Sequence, residues 1–368
     1  MVLLFLFVTM IATGAFAVNT IRIGFIVPLT TANALIGWGM QHGAALAVKE
    51  INEAGGIKGV NIELLSEDNA DTNAIAVNAL HKVSASKPVA LILGSTSSQT
   101  MAMSPIIQKA KIPTLIEGSS PKLTDHGNPW FFQPRVTDEF AAIAATRYVV
   151  QHLKKTKIGV FHAAEEFGLS TAPVIVKTLE ELNLKPVAVV SAPSSDKDVS
   201  AQLLQIKNAG ADAVIAWVLP APGVLLARQM KQLKINVPLM ANPIFAMPQV
   251  LKLMTPEDRA DVYSVTDTVP DQDTDPAAQD FVKRYKERTG IMPDLLAAIS
   301  YDSVKLLAKV IREVGTGPEA IQKALREGKG YRGVANTYTF DEKGRGAWRV
   351  MVVDVSGAGL KVLTTVSR

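Results

Sequence analysis

Two short stretches carry the residues best placed to do chemistry: Gly94-Ser95-Thr96-Ser97-Ser98 and Gly118-Ser119-Ser120. Each follows an apolar run, Val89–Leu93 and Pro113–Ile116, with the length and composition of a buried strand. Glycine lets a backbone come close to a ligand, and serine adds a donor and an acceptor beside free backbone N–H groups. Where such a turn opens a helix, the unpaired N–H groups and the helix dipole favour an anion. A serine in this position also serves as a plain helix N-cap. Two such turns in adjacent strand–helix units predict a small-anion site suited to a carboxylate.

The other reactive residue types do not assemble a reaction centre. The five histidines, His42, His81, His126, His152 and His162, form neither an i, i+4 pair nor an HExxH pattern. With no cysteine there is no thiol nucleophile and no thiolate metal site. No serine sits in a G-x-S-x-G elbow, and Glu165-Glu166 falls where acidic residues favour a helix start. Gly37-Trp38-Gly39 with Gly43 departs by one residue from the dinucleotide fingerprint and lies well beyond its strand; no P-loop occurs. The expectation is a protein that is not an enzyme and carries no cofactor or metal.

The elements that must position the two turns alternate regularly. Ile21–Val27 and Ile62–Leu65 read as strands, with helical spacing over 38–54 and 73–85 between and after them. The two strand–turn units follow, then a break around Trp130–Thr137 with Pro129 and Pro134. A second series starts at Lys157, with strands at 158–161, Val187–Val190, Ala213–Trp217 and Val237–Met240 and helices at 167–182, 199–209 and 223–233. After an acidic connection, Pro270–Pro276, helical stretches at 277–289, 294–313 and 318–327 lead to hairpin-like strands, Thr337–Phe340 and Trp348–Val355. Repeated βα alternation implies an α/β protein with mostly parallel, doubly wound sheets. The chain divides into two Rossmann-like lobes, 20–138 plus 268–346 and 139–267 plus 347–368, joined by several crossings where a ligand is trapped between closing lobes.

Composition narrows the function classes. The formal charge of +4 over 368 residues comes from dispersed Lys and Arg with no basic run, which argues against nucleic acid. Residues 1–17 are almost wholly apolar and end in Ala15-Phe16-Ala17, a secretory signal pattern cleaved after Ala17, although no Lys or Arg precedes the apolar core. An uncleaved anchor is the alternative. The expected location is the periplasm, and without cysteine there is no lipid attachment through a thiol. The exported chain must be stabilised by core burial alone, which its length permits.

The opening IRIGFIVPLT, followed by GAALAVKEINEAGGIKGVNIELLSEDNADT, resembles the type I periplasmic binding proteins of the leucine/isoleucine/valine class. GSTSSQT, IPTLIEGSS, the EEFG of FHAAEEFG and the closing TFDEKG fall where that family has matching segments. The resemblance implies two lobes, a three-crossing hinge, and a monomeric receptor that delivers a small ligand to an inner-membrane ABC permease. It places the hydroxyl for the ligand's carboxylate on Ser98 with Ser97 beside it, the second binding turn on Ser119, and a cleft aromatic on Phe167, where the family has Tyr.

The departures from the family bear on the ligand. The acid that pairs with an amino acid's ammonium is missing from Ala241-Asn242-Pro243-Ile244-Phe245, and two further tyrosines are replaced near Leu219 and Ile36. Burying an ammonium without a carboxylate partner costs on the order of several kcal/mol. The expected ligand is therefore an aromatic or aliphatic acid without an α-ammonium, in a cleft that includes Trp38, Trp217 and Phe245. Glu117, just before the second turn, is the residue that would restore an amino acid ligand. A sensory or regulatory ligand-binding subunit would share the same fold.

Overall fold

The computed structural model describes residues 20–31, 33–357 and 359–367; the signal segment read at 1–17 lies outside them. In chain order the first lobe contains β1 (Ile21–Val27), α1 (Ala34–Glu53), β2 (Ile62–Asp68), α2 (Asn73–Ala85), β3 (Ala90–Leu93), α3 (Ser97–Ala110), β4 (Thr114–Ile116), a single-turn α4 (Lys122–Asp125) and β5 (Phe131–Phe132). Its five strands are parallel, in the order β2-β1-β3-β4-β5. All four residues of β3 and all three of β4 are buried, as expected of central strands covered on both faces.

The second lobe follows with α5 (Asp138–Gln151), β6 (Ile158–Ala163), α6 (Glu166–Glu181), β7 (Ala188–Ala192), α7 (Ser200–Asn208), β8 (Ala213–Trp217), α8 (Pro220–Gln232) and β9 (Leu239–Ala241). Two single turns, α9 (Pro248–Leu251) and α10 (Pro256–Arg259), lead to β10 (Val262–Thr266). The chain then returns to the first lobe as α11 (Pro276–Thr289), α12 (Leu295–Val314) and α13 (Pro318–Glu327), with a small hairpin of β11 (Tyr331–Arg332) and β12 (Thr337–Tyr338). It ends in the second lobe as β13 (Arg349–Asp354) and β14 (Lys361–Ser367), giving a seven-stranded sheet in the order β14-β13-β10-β9-β8-β6-β7. β13 is antiparallel to both of its neighbours, and β6 to β10 are mutually parallel.

In each sheet the chain order reverses beside the first strand of the lobe: between β1 and β3, and between β6 and β8. At such a switch point, loops leave the carboxyl ends of neighbouring strands in opposite directions and open a crevice. The two crevices face one another. Three segments cross between the lobes and are bonded together: Gln133 N–H donates to Gly344 O at 2.7 Å, Gly346 N–H to Gln133 O at 2.9 Å, and Val136 N–H to Asp267 Oδ2 at 2.7 Å.

Three features differ from the sequence reading. The stretch read only as a crossing continues into α5, whose start is set by Thr137 Oγ1 accepting from Phe140 N–H. Thr337–Phe340 does not form a hairpin with Trp348–Val355: β12 pairs with β11, while β13 joins the large sheet and pairs with β14, a strand the sequence reading did not include. Between the two stretches the Trp348 indole N–H donates to Thr339 O at 3.4 Å, with no strand pairing. The first helix begins at Ala34, four residues before the expected start.

α1 and α12 pack along each other closely enough that a Cβ on Gly43 would lie 2.1 Å from the carbonyl oxygen of Ala297. Backbone cannot yield as a flexible side chain does. Gly43→Ala is expected to destabilise the protein by about 1–3 kcal/mol, the usual range for overpacking. The check is urea denaturation of both proteins, reading the midpoint at unchanged slope.

Candidate functional site

The facing crevices form one cleft with a cavity of about 110 Å³. An engineered apolar cavity of about 150 Å³ holds one benzene, so this space suits a single small ring or a short aliphatic chain. Its first-lobe wall holds Pro28, the turn Gly94–Ser97, the turn Glu117–Ser119, and Leu295 and Leu296 at the start of α12. The second-lobe wall holds Phe167, Leu219, Asn242, Ile244 and Met247, with Arg135 and Asp138 at the hinge.

The two turns present backbone donors. Thr96 is the N-cap of α3: its hydroxyl accepts from Gln99 N–H at 3.4 Å, and the Gln99 side chain accepts from Thr96 N–H at 3.0 Å. The hydroxyl of Ser95 is engaged by the Asn69 amide at 3.1 Å, and that of Ser97 accepts from Ser120 N–H at 3.2 Å. The backbone N–H groups of Ser97 and Ser98 have no protein partner among the described residues, and the same holds for Gly118 and Ser119. These are the orphan donors that a helix start and a strand end leave, and they make the first-lobe wall an anion-binding surface.

The hinge end is acidic. Glu117 is 3 % exposed; its Oε1 accepts from the Ser300 hydroxyl at 2.6 Å, while Oε2 is buried with no hydrogen-bond partner. Burial pushes its carboxyl up to about 8, against the Ser300 hydrogen bond and the Arg135 charge, with Asp294 and Asp267 adding to the rise. Asp138 accepts from the Ser119 hydroxyl at 2.8 Å, and burial raises it to about 6. Asp267 and Asp294 are also raised by burial. Arg135 donates to the Glu117 carbonyl oxygen at 3.2 Å and lies 3.8 Å from Asp267. Across the mouth, Gln249 of the second lobe donates to Asp294 of the first at 2.7 Å, and Ser120 meets Ser170 at 2.9 Å.

Of the residues singled out from sequence, Ser97, Ser119, Phe167 and Glu117 line this cleft. Ser98 keeps its N–H at the helix start, but its side chain does not line the cavity; the first helical residue, Ser97, is the one that faces it. Trp38 lies outside the cavity, 36 % exposed, with its ring 4.1 Å from that of His42. Trp217 is fully buried at the end of β8; its indole N–H lies near Asp138 without closing a well-formed hydrogen bond. Phe245 is fully buried beneath α8 near Gly223, and its neighbour Ile244 faces the cleft instead. The acid-free stretch at Asn242–Ile244 does line the cleft, but the cleft is not acid-free, because Glu117 and Asp138 enter from the other side. Arg135 and Asp138 were missed; the signal was an Arg directly after Pro134 in a mostly apolar crossing and an Asp directly after the Thr137 cap. Among the described residues no cluster of His, Asp or Glu could hold a metal ion.

A two-lobed α/β chain with one interlobe cleft is the architecture of a solute receptor. Residues 20–359 match the family described as periplasmic binding protein, and the chain belongs to that family. Among its relatives is the Leu/Ile/Val-binding protein homolog 1 of Brucella suis biovar 1, 26 % identical over 336 residues, 91 % of this chain and 90 % of that one. Solved structures of the same fold include the branched-chain amino acid transporter substrate-binding protein LivJ of Streptococcus pneumoniae in complex with isoleucine, at TM-score 0.86 and 24 % identity over 94 % of this chain and 99 % of that one. Another is a solute-binding protein of an R. palustris ABC transporter in complex with benzoate, at TM-score 0.86 and 17 % identity over 95 % of this chain and 97 % of that one.

The raised acids fix a pH dependence. Glu117 takes up its proton at a higher pH in the folded than in the unfolded chain, so the folded state holds the extra proton between about 4.5 and about 8. Its contribution favours folding at the acid end of that window and is lost as pH rises through it. In ligand-free protein, the melting temperature of Glu117→Gln relative to the unsubstituted chain is expected to climb steadily from pH 5 to pH 8. A flat difference across that range would contradict the assignment.

Proposed function

We propose that this protein is the extracytoplasmic solute-binding component of an ABC transporter and captures a small carboxylate with an apolar body. The observation that carries this is the pairing, in one cleft, of four unpartnered backbone N–H groups at two turns with an apolar wall of Ile36, Met40, Leu219, Ile244, Met247, Leu295 and Leu296. The turns take the carboxylate; the apolar wall, contributed by both lobes, takes the body. A ligand that touches both lobes only when they are closed shifts the open–closed equilibrium, and the closed form is what an inner-membrane permease would recognise. Nothing in this cycle requires turnover, and the leader at 1–17 would deliver the chain to the periplasm.

Two ligand classes fit that grip. An aromatic or aliphatic acid is favoured by Asn242, whose side chain accepts from Val218 N–H at 3.2 Å and brings no charge to the second-lobe wall. An apolar amino acid, the class that the Brucella and Streptococcus proteins are named for, is favoured by Glu117 and Asp138 on the hinge side. A sensory subunit would use the same cleft but would not restore uptake through a permease.

The grip can be separated from the hydroxyls. Ser97→Ala and Ser97→Pro both remove the side-chain oxygen, but only proline removes the N–H, and Thr96 already has the extended backbone that proline requires before it (φ −60°, ψ 160°). With the best carboxylate from a thermal-shift panel as probe, Ser97→Pro is expected to bind roughly 10–100-fold more weakly than Ser97→Ala, as for loss of one hydrogen bond to a charged group. Equal affinities would place the carboxylate elsewhere.

A further inference from the structure

We propose that Gln249 is a positioning residue that holds the lobes together: its hydrogen bond to Asp294 sets how much of the empty receptor is closed, and with it the affinity for every ligand the cleft accepts. The ligand arm of the test rests on the carboxylate grip described above; the closure arm does not.

The bond joins the lobes where their apolar walls meet. Gln249 lies in α9, two residues after Met247, and Asp294 directly precedes Leu295 and Leu296; these three apolar residues line the cavity from its two sides. Gln249 Nε2 donates to Asp294 Oδ2 at 2.7 Å, while Asp294 Oδ1 accepts from Ala297 N–H at 2.7 Å and so caps α12. One carboxyl is thus shared between a helix start in the first lobe and an amide from the second. Burial raises that carboxyl, and Ala297 N–H, the Gln249 amide and Leu296 N–H hold it down. All three are donors, which suits its ionised form.

The other contacts across the cleft are weaker in kind. Lys122 and Glu166 meet at 3.3 Å with half of the lysine side chain exposed, where water and salt screen an ion pair. Ser120 and Ser170 meet at 2.9 Å, but both are neutral, and the Ser170 hydroxyl has Phe167 O at 3.1 Å as a second partner. The Gln249–Asp294 bond is out of water at both ends, at 8 % and 1 % exposure, and its acceptor is a carboxylate, which makes it the strong one.

Two further observations fit a bond placed for closure. The second amide atom, Gln249 Oε1, is buried without a hydrogen-bond partner, a cost that a side chain serving only the core would avoid by being apolar. On α1, Gly39 faces the bond: a Cβ there would lie 3.1 Å from Asp294 Oδ2 and 3.5 Å from Gln249 Nε2. The second glycine of the incomplete dinucleotide pattern therefore leaves room for the lobes to join.

Affinity follows from closure. Where only the closed form holds ligand, the apparent dissociation constant is the intrinsic one divided by the closed fraction. Loss of the bond weakens all ligands by one common factor, whereas loss of a ligand contact weakens them unequally.

The chain has no cysteine, so Leu35→Cys and Leu169→Cys take spin labels cleanly; both positions are exposed, and each is close in sequence to a cleft-lining residue of its own lobe. In ligand-free protein, Gln249→Leu and Gln249→Glu are each expected to lengthen the distance between the labels relative to the labelled parent. Adding Asp294→Asn to Gln249→Glu keeps a capping oxygen on α12 and turns an amide toward the new carboxylate, and is expected to restore the parent distance. An unchanged distance in Gln249→Leu, or a double variant as open as Gln249→Glu alone, would overturn the proposal. With benzoate and L-isoleucine as calorimetric probes, Gln249→Leu is expected to lose roughly 10-fold in affinity for each probe the parent binds. A loss confined to one of two bound probes, or no loss, would overturn it as well. Silence of the parent toward both probes would count against the carboxylate grip, and the label distances would still decide closure.

Discussion

Four buried carboxyl groups, Glu117, Asp138, Asp267 and Asp294, lie about the cleft and the lobe crossings; the buried guanidinium of Arg135 acts on the first three, and Arg349 also acts on Asp267. Charge of one sign is hard to gather away from water: each group is pushed toward its neutral form, and the remaining strain is relieved by hydrogen bonds or by an incoming cation. The local structure follows that demand. Asp267 is bonded to Val136 N–H, Asp294 caps α12 through Ala297 N–H, Asp138 takes the Ser119 hydroxyl, and Glu117 takes Ser300. Every one of these partners belongs to a crossing, a cleft turn or the first turns of the helices beside the cleft. The electrostatics of the ligand site and the mechanics of the hinge are therefore one arrangement.

The architecture was largely legible because its signals are local. Strands β3 and β8 are short uniformly apolar runs, and the helices between them carry a 3.6-residue period, so βα alternation and two lobes follow from sequence. The two Gly–Ser turns were legible for the same reason, since a parallel strand must end somewhere and its end is marked by small residues. The C-terminal pairing was not legible. β13 joins β10, which lies far back in the chain, and nothing in the sequence between them states which sheet edge is open.

Side-chain direction limited the site reading in the same way. Ser97 and Ser98 are adjacent and chemically identical, yet only the first faces the cavity, because successive helical residues point about 100° apart. Ile244 and Phe245 divide likewise, one toward the cleft and one into the core. Aromatic type suggested a ligand wall at Trp38, Trp217 and Phe245, but large rings are also what a core needs, and here two of the three are fully buried. The acids were the larger omission. The segment after β9 carries no counter-charge, whereas burial in three dimensions brings Glu117 and Asp138 to the same cleft from segments before and beside the hinge.

The packing of α12 along α1 also constrains the order in which the molecule can form. α1 ends at Glu53 and α12 at Val314, and the second lobe's strands β6 to β10 lie between them in sequence. As the polypeptide is made, the first lobe must wait for α11 to α13 until β6 to β10 have emerged, and the second lobe then waits for β13 and β14. Until α12 is available, the face of α1 that bears Gly43 has no partner, and β1 and β3 are covered on one side only. Loop closure over so long a separation is slow, and partially covered sheets are prone to wrong association. A chain wired in this way reaches its native state as a whole, near the end of its synthesis, and not lobe by lobe from the N-terminus.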